Sequence, residues 1–564
     1  MKRTLFGLAI WPLLAWGQKP VINPGGVVNA ASYSTGLDLV VTGAVSTTLA
    51  GGSIATIFGT NLAASTQSAE STPLPRQLAG TAVSVDGIAA PLFYVSPTQV
   101  NFQMPSYYDT TPGISPANGI VVGTAAGMSD PYMTVITGPN PVPGIFTMDV
   151  SGCGQGAVLN ASADGSTSLN SPTNSAAPGD YISIYGTGNG DDINNRPPDG
   201  VPASSNPLSS PEISAGPLFD FYENPGAGPS WSGRAPGFVG LDQFNSQVPE
   251  TVRQGCAVPL QLIGYNIGPP VTISIASGGG TCVDPPTQGY GEIMWEKTVT
   301  TTVGLTTSIT ETDTLTVSLQ ASPGRQAPTP PVFTEGGLLA PAYTYYGPSC
   351  AIPGYRSLGA GTVTVQGPGL AATPAPMAPL QGGTVLANLP LPANGTQTPF
   401  QSGQVSGLTV YQATLPNGTI QQGSFKVSAS GGSDVGAFQS TIQIGSPIQV
   451  VTALANRVLY AGQSYTITWT GGDSNAWVTV KLVSHEGAYD YYAWAWVARA
   501  SDETITLTGQ EPGLSFGSGG PLEMVIEVVP DPSQVPALSA PGLSLGGQHL
   551  WKYTYRFEGL TAQD

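Results

Sequence analysis

Apolar residues recur at every second position along most of this chain. Ile54-Ala55-Thr56-Ile57-Phe58, Ala82-Val83-Ser84-Val85, Tyr181-Ile182-Ser183-Ile184-Tyr185 and Val271-Thr272-Ile273-Ser274-Ile275 are examples. Such β-branched, period-two runs predict half-buried strands. Between them fall Asp86-Gly87, Asn118-Gly119, Asp164-Gly165 and Asn417-Gly418. Asn-Gly and Asp-Gly between alternating runs mark tight hairpins. No long segment carries the 3.6-residue period of an amphipathic helix. The pattern predicts an all-β protein built of tandem immunoglobulin-like β-sandwich domains.

An internal repeat sets the expected domain plan. Gly52–Thr60 (GSIATIFGT) matches Gly179–Thr187 (GDYISIYGT). Ala90–Val95 through Gln103-Met104-Pro105 matches Ala235–Gly240 through Gln247-Val248-Pro249. The repeat predicts two related sandwiches, 25–140 and 141–277, pairing Ile54 with Tyr181 or Ile182 and Phe93 with Phe238. The second copy carries extra length in the Pro-, Gly- and Asp-rich stretch 189–229.

After Gly278-Gly279-Gly280, read as a linker, a Pro- and Gly-rich β domain is expected over 278–445. Its strand-like runs are Thr298–Val303, Thr314–Leu319, Thr362–Val365 and Gly423–Ser428. A separate immunoglobulin/fibronectin-like sandwich is expected over 446–562. There Tyr465, Ile467 and Trp469, then Val478, Val480 and Leu482, then Leu522, Met524, Ile526 and Val528, then Trp551, Tyr553 and Tyr555 each alternate with polar residues. One apolar and one polar face per strand is what a two-layer sandwich requires.

Composition narrows the class. Of 564 residues only 9% are charged, while Gly numbers 74 and Pro 53. Coiled coils and long solvated helices are excluded, because they need Glu, Lys and Arg. Lys and Arg total 16 against 34 Asp and Glu, a formal charge of −18. Nothing would neutralise phosphates, so nucleic acid is not an expected partner. Met1-Lys2-Arg3, the apolar stretch Thr4–Trp16 and the small-x-small Ala15-Trp16-Gly17 read as a signal peptide over 1–17. That stretch falls short of the ~20 residues of a membrane span. Export follows, to the medium, the cell surface or the periplasm.

Several motifs resemble a known family. They are Val27–Tyr33 (VVNAASY), Ser53–Leu62 (SIATIFGTNL), Pro91–Pro105 (PLFYVSPTQVNFQMP), Pro143–Phe146 (PGIF), Gly154–Asn160 (GQGAVLN), Ala177–Gly186 (APGDYISIYG) and Ala235–Gly240 (APGFVG). In this order they resemble the Solibacter-type uncharacterised domain of secreted proteins from soil acidobacteria. The GTNL turn also resembles the IPT/TIG type of immunoglobulin-like fold. The resemblance implies export and a β-sandwich, and it brings no catalytic residues.

Four cysteines, Cys153, Cys256, Cys282 and Cys350, suit two structural disulfides in an oxidising compartment. A pairing that respects the domain plan joins Cys153 to Cys256 and Cys282 to Cys350. The rival joins Cys256 to Cys282, and loop entropy separates the two by less than ~1 kcal/mol.

Four candidate sites remain. In a regular strand Tyr492, Trp494 and Trp496 share one face, suited to stacking on a glycan if exposed or to filling a core if not. Asp191, Asp192 and Asp199, with Asn189, Asn194 and Asn195, offer oxygen ligands for Ca²⁺ without EF-hand spacing. Otherwise they form a polar loop, and no other cofactor is expected. Glu292-Ile293-Met294-Trp295-Glu296 is similar to the strand of retaining jelly-roll glycosidases, except that Met294 replaces their central aspartate. The only two histidines, His485 and His549, form no HExxH and read as surface or strand-end residues. No GxSxG or nucleotide-binding glycine pattern occurs. The expected function is structural, adhesive or binding, without catalysis, with an extracellular glycan or protein as partner. The alternatives are a carbohydrate-binding protein using the aromatic strand and, less favoured, a cryptic polysaccharide hydrolase.

Overall fold

A computed structural model describes residues 18–563, except 35–38, 42–43, 107–118, 137–140, 163, 191, 193–194, 211–214, 221–228, 264–267, 304–306, 325–352, 355, 371–375, 378, 381–409, 453–457, 461–462, 487–488 and 508–520. The expected signal peptide therefore lies outside the described residues. The secondary structure among the described residues is strand, with two single-turn 3₁₀ segments at Ala500–Asp502 and Pro532–Gln534. The all-β expectation holds. No helix among the described residues is long and apolar enough to cross a membrane.

The repeat is real at the level of strands. Ile54–Thr60 and Tyr181–Thr187 are the matching central strands. Each pairs antiparallel with the strand that ends at the matched glutamine, Gln99–Gln103 or Asp242–Gln247. Ile54 lies opposite Gln103, and Tyr181 opposite Gln247, so Ile54 and Tyr181 are equivalent. Each copy has its own core. Ile57, Leu92, Val100 and Phe102 lie in the first, and Ile182, Ile184, Phe244 and Leu260 in the second.

One expected equivalence fails. Phe93 lies within the strand Leu92–Val95 and is half-buried. Phe238 is 58% exposed, in the turn between the strands Trp231–Arg234 and Asp242–Gln247. The register instead sets Val95 opposite Val100 and Ser232 opposite Phe244. The A-P-x-F pattern is thus a strand in one copy and a turn in the other.

The expected boundary at 445/446 does not divide the sheets. Thr287–Val303 and Thr307–Pro323 form a hairpin of two 17-residue strands. Thr287–Val303 pairs in parallel with Gly547–Gln563, from Gly291 opposite Gly547 to Thr302 opposite Glu558. A ten-stranded sheet results, which also takes in Val410–Leu415, Pro521–Val529, Trp477–Glu486 and Tyr489–Arg499. Its inner face packs on the sheet of Val363–Gln366, Gly423–Ala429 and Phe438–Ile444, with the rings of Trp295 and Phe425 4.8 Å apart. A single hydrophobic cluster runs from Ile293 to Leu560.

The polar face of this sheet also differs from expectation. Thr479, Lys481, Glu523 and Thr554 are buried although they alternate with core residues. Their strands lie inside the sheet with neighbours on both sides, so opposite charges meet across strands rather than facing water.

Gly278–Gly280 is no loose linker. The Gly280 carbonyl accepts from the Ser175 amide at 2.7 Å, and the Cys282 amide donates to Pro172 O at 2.9 Å. The disulfide is Cys256–Cys282, with Cα atoms 5.3 Å apart. This overturns the pairing of Cys153 with Cys256 and of Cys282 with Cys350. Cys256 and Cys282 are brought together because the Gly turn folds the exit of the second copy back onto its strand Gly255–Ile263. Cys153 is also disulfide-bonded, and Cys350 lies outside the described residues. Non-reducing peptide mapping is expected to return a Cys256–Cys282 peptide. A Cys153–Cys256 peptide would contradict this fold.

Candidate functional site

The aromatic strand Tyr489–Arg499 forms one edge of the ten-stranded sheet and pairs with Trp477–Glu486. Trp496 lies opposite Val480, which is fully buried. It is half-buried and packs against the C-terminal core. The register shifts between Leu482 and Val483, so Trp494 lies opposite Leu482 and Tyr492 opposite Val483. That irregularity interrupts the alternation on which a common face for all three residues depends. The side chains of Tyr492 and Trp494 lie outside the described residues.

The acidic loop is tied into the fold by backbone amides. The buried Asp192 carboxylate accepts from the amides of Asn195 and Ser210, both at 3.0 Å. Asp199 accepts from the Ser106 amide of the first copy at 3.1 Å. Asp191 lies outside the described residues. No group of three or more His, Cys, Asp or Glu placed to hold a metal occurs among the described residues. Asp192 and Asp199 therefore face donors that a cation would have to displace.

Glu292 and Glu296 belong to a ladder of charges on the outer face of the ten-stranded sheet. Four residues at ~3.3 Å each place them about 13 Å apart, well beyond the ~5–5.5 Å of a retaining pair. Each has a partner on Gly547–Gln563. Gln548 Nε2 donates to Glu292 at 2.9 Å, and Lys552 Nζ meets Glu296 at 2.9 Å. Further along, Lys481 meets Glu527 at 2.6 Å and Arg556 meets Glu523 at 2.9 Å. Burial alone would lower the Lys552 pKa, but the Glu296 and Glu527 carboxylates outweigh it and hold the ammonium charged.

His549 is not the surface or strand-end residue the sequence suggested. It is fully buried. Trp295 Nε1 donates to its Nε2 at 2.8 Å, and its Nδ1 lies 2.8 Å from Ser440 Oγ. The indole can only donate, so Nε2 accepts and the neutral ring carries its proton on Nδ1. Nδ1 therefore donates to Ser440, the reverse of a base taking a proton from a serine nucleophile. Burial pushes the His549 pKa down to about 3. The group bolts two packed sheets together. His485 has its side chain outside the described residues.

The densest polar arrangement was not found by sequence reasoning. It is the seam between the two copies. Arg234, 4% exposed, donates from Nη1 to Asp242 Oδ1 at 2.8 Å. Its Nη2 reaches Gly51 O of the first copy and Gly190 O of the second, each at 3.1 Å. Asp242 Oδ2 accepts from the Asn189 amide at 2.8 Å. Asn29, from the VVNAASY motif, donates to Val142 O and Thr187 O across the seam at 3.3 and 3.1 Å. Its Oδ1 accepts from the Ala31 amide at 2.9 Å. Thr187 Oγ1 accepts from the Ile54 amide at 2.8 Å and donates to Gly240 O at 2.7 Å. Gln103 Oε1 accepts from the Gly200 amide at 2.6 Å. Gly240 has φ +65°, and a Cβ there would stand 2.8 Å from Ile54 Cγ1. The approach of the two copies thus admits only glycine. The one sequence signal was an arginine and an aspartate eight residues apart in a chain with few charges.

No protein-family model matches the chain, and no curated protein matches it. Among solved structures, a three-immunoglobulin-domain segment of titin is similar over 69% of this chain and 94% of its own, at 8% identity and a TM-score of 0.12. A structure of Dscam, solved to explain its isoform specificity, is similar over 90% of this chain and 96% of its own, at 9% identity and a TM-score of 0.10. At these scores neither likeness carries an argument about function, and the β-sandwich architecture rests on the sheets and cores described above.

Proposed function

We propose that this chain is an exported, non-catalytic scaffold of β-sandwiches with a structural or extracellular binding role, its first two modules being of the Solibacter type. The supporting observation is the buried seam, in which one guanidinium binds carbonyls of both copies and an aspartate at once. The motif residues Asn29 and Thr187 are spent on joining modules. The Cys256–Cys282 disulfide fastens the next junction and suits an oxidising compartment. A protein held this way presents its loops at fixed separations to a glycan or protein partner. Limited proteolysis of the exported chain tests the reading. No separate fragment of the first copy is expected, and its early release would sink the proposal.

A second reading, glycan binding by Tyr492, Trp494 and Trp496, is favoured by one observation. Their strand is at a sheet edge, with no strand on its outer flank among the described residues. Because Trp496 packs on the core, Trp496→Ala is expected to lower stability by about 2 kcal/mol, below the ~3–5 kcal/mol of a fully buried ring. A thermal melt and a pull-down on insoluble polysaccharide distinguish the roles. Lost retention with an unchanged melting temperature would establish the binding strip instead.

A further inference from the structure

Two charged residues interrupt the inner face of the long hairpin where alternation calls for apolar ones. Ile293 and Trp295 are fully buried, and the next residue on that face is Lys297. On the partner strand Leu319, Val317 and Leu315 are fully buried, and the next is Asp313, itself 0% exposed. Lys297 and Asp313 are directly opposed across the pair. Lys297 Nζ lies 3.9 Å from Asp313 Oδ1 and 2.7 Å from Glu311 Oε2. The Lys297 side chain is 14% exposed. Asp313 Oδ2 accepts from the Ile420 amide at 2.8 Å, while the buried Oδ1 has no hydrogen-bond partner.

We propose that Lys297 and Asp313 condense into an intramolecular amide cross-link, with Glu311 relaying the proton. Glu311 takes one proton from the Lys297 ammonium, and the freed amine attacks Asp313 Cγ. The Nζ–Cγ bond forms and the Cγ–Oδ1 bond breaks. Oδ1 leaves as water, taking one proton back from Glu311 and one from the nitrogen. One ammonium and one carboxylate thus give one amide and one water, and no other reactant is needed. Oδ2 becomes the amide oxygen and keeps the Ile420 N–H that polarises it during attack. Holding amine and carboxyl side by side supplies the effective concentration that the free groups lack. The site shields the reacting carboxyl from water. The product replaces two costly buried charges by a neutral group. Such a bond ties the strands Thr287–Val303 and Thr307–Pro323 covalently, independently of any disulfide.

The test is mass mapping of the reduced, exported chain after digestion with a glutamate-specific protease, which cuts between Lys297 and Asp313 at Glu311. A branched peptide joining the two residues, lighter by one water than its parts, is expected. Lys297→Arg should abolish it. Glu311→Gln, a change at a half-exposed side chain, removes that cut, so Lys297 and Asp313 stay on one peptide; that peptide should show its full mass rather than a mass one water lighter, while the circular dichroism spectrum stays that of the parent. Two separate peptides of full mass from the parent chain would overturn the proposal. So would a Glu311→Gln peptide spanning both residues that is lighter by one water to the same extent as the parent is cross-linked.

Discussion

Arg234→Ala is expected to destabilise the paired N-terminal sandwiches by about 3–5 kcal/mol, the range for removing one partner of a buried ion pair. The size follows from what is left behind. Asp242 is 0% exposed and would lose the guanidinium beside it, keeping the Asn189 amide. Gly51 O and Gly190 O would lose the guanidinium donor as well. Each orphaned buried acceptor adds about 1–3 kcal/mol, although such terms do not simply add. Asp242→Ala strands the guanidinium instead and should be similarly severe. The double variant Arg234→Met with Asp242→Leu should recover part of the loss, because neither buried charge remains. Hydrogen exchange in the strands Ile54–Thr60 and Tyr181–Thr187 is the suitable measurement, since it reports each copy separately. Protection lost in both copies is the expected result. Loss confined to the second copy would show that the seam does not couple them.

The physics of the strands explains what could be read in advance. Period-two runs such as Val478, Val480 and Leu482 record burial directly, and all three are core residues. The repeat was legible because Ile54–Thr60 and Tyr181–Thr187 keep the same apolar positions in the same register. Phe93 and Phe238 misled because the A-P-x-F pattern fits a strand in one copy and a turn in the other. The ten-stranded sheet was hidden for a different reason. Its decisive pairing is parallel, between Thr287–Val303 and Gly547–Gln563, and local pattern carries no information about partners so distant in sequence. The seam was hidden because its chemistry uses backbone carbonyls. Gly51 O and Gly190 O bind Arg234 without any side chain of their own, so the signal could come only from side chains such as Asn29, Gln103, Thr187, Arg234 and Asp242. His549 was misread because a strand ending in a long polar-apolar alternation gave no hint that Trp295 and Ser440 would close on its ring.

That ring predicts a marked loss of stability in acid. In the unfolded chain His549 titrates near its ordinary value of 6.5, and in the folded chain burial lowers this to about 3. Between those values the unfolded state holds a proton that the folded state does not. Stability therefore falls as pH drops below 6.5 and stops falling from this source near pH 3. Each pH unit in that window corresponds to about 1.4 kcal/mol, so moving from neutral pH to pH 4 should remove about 3 kcal/mol through this residue alone. Protonation would also put a second N–H where Trp295 Nε1 now donates, leaving two donors face to face. His549→Gln keeps a polar group of related reach and removes the titration. It should be less stable at neutral pH, since the imidazole packing and one hydrogen bond are lost, yet its stability should change less between pH 7 and pH 4. Urea midpoints followed by tryptophan fluorescence suit the comparison, because Trp295 touches the ring directly. Carboxylates such as Asp531, whose pKa the Ser533 and Arg499 hydrogen bonds lower to about 2, add a common acid slope to both proteins. The informative quantity is the difference between the two slopes. If parent and variant lose the same stability over that interval, His549 is not held neutral by the core.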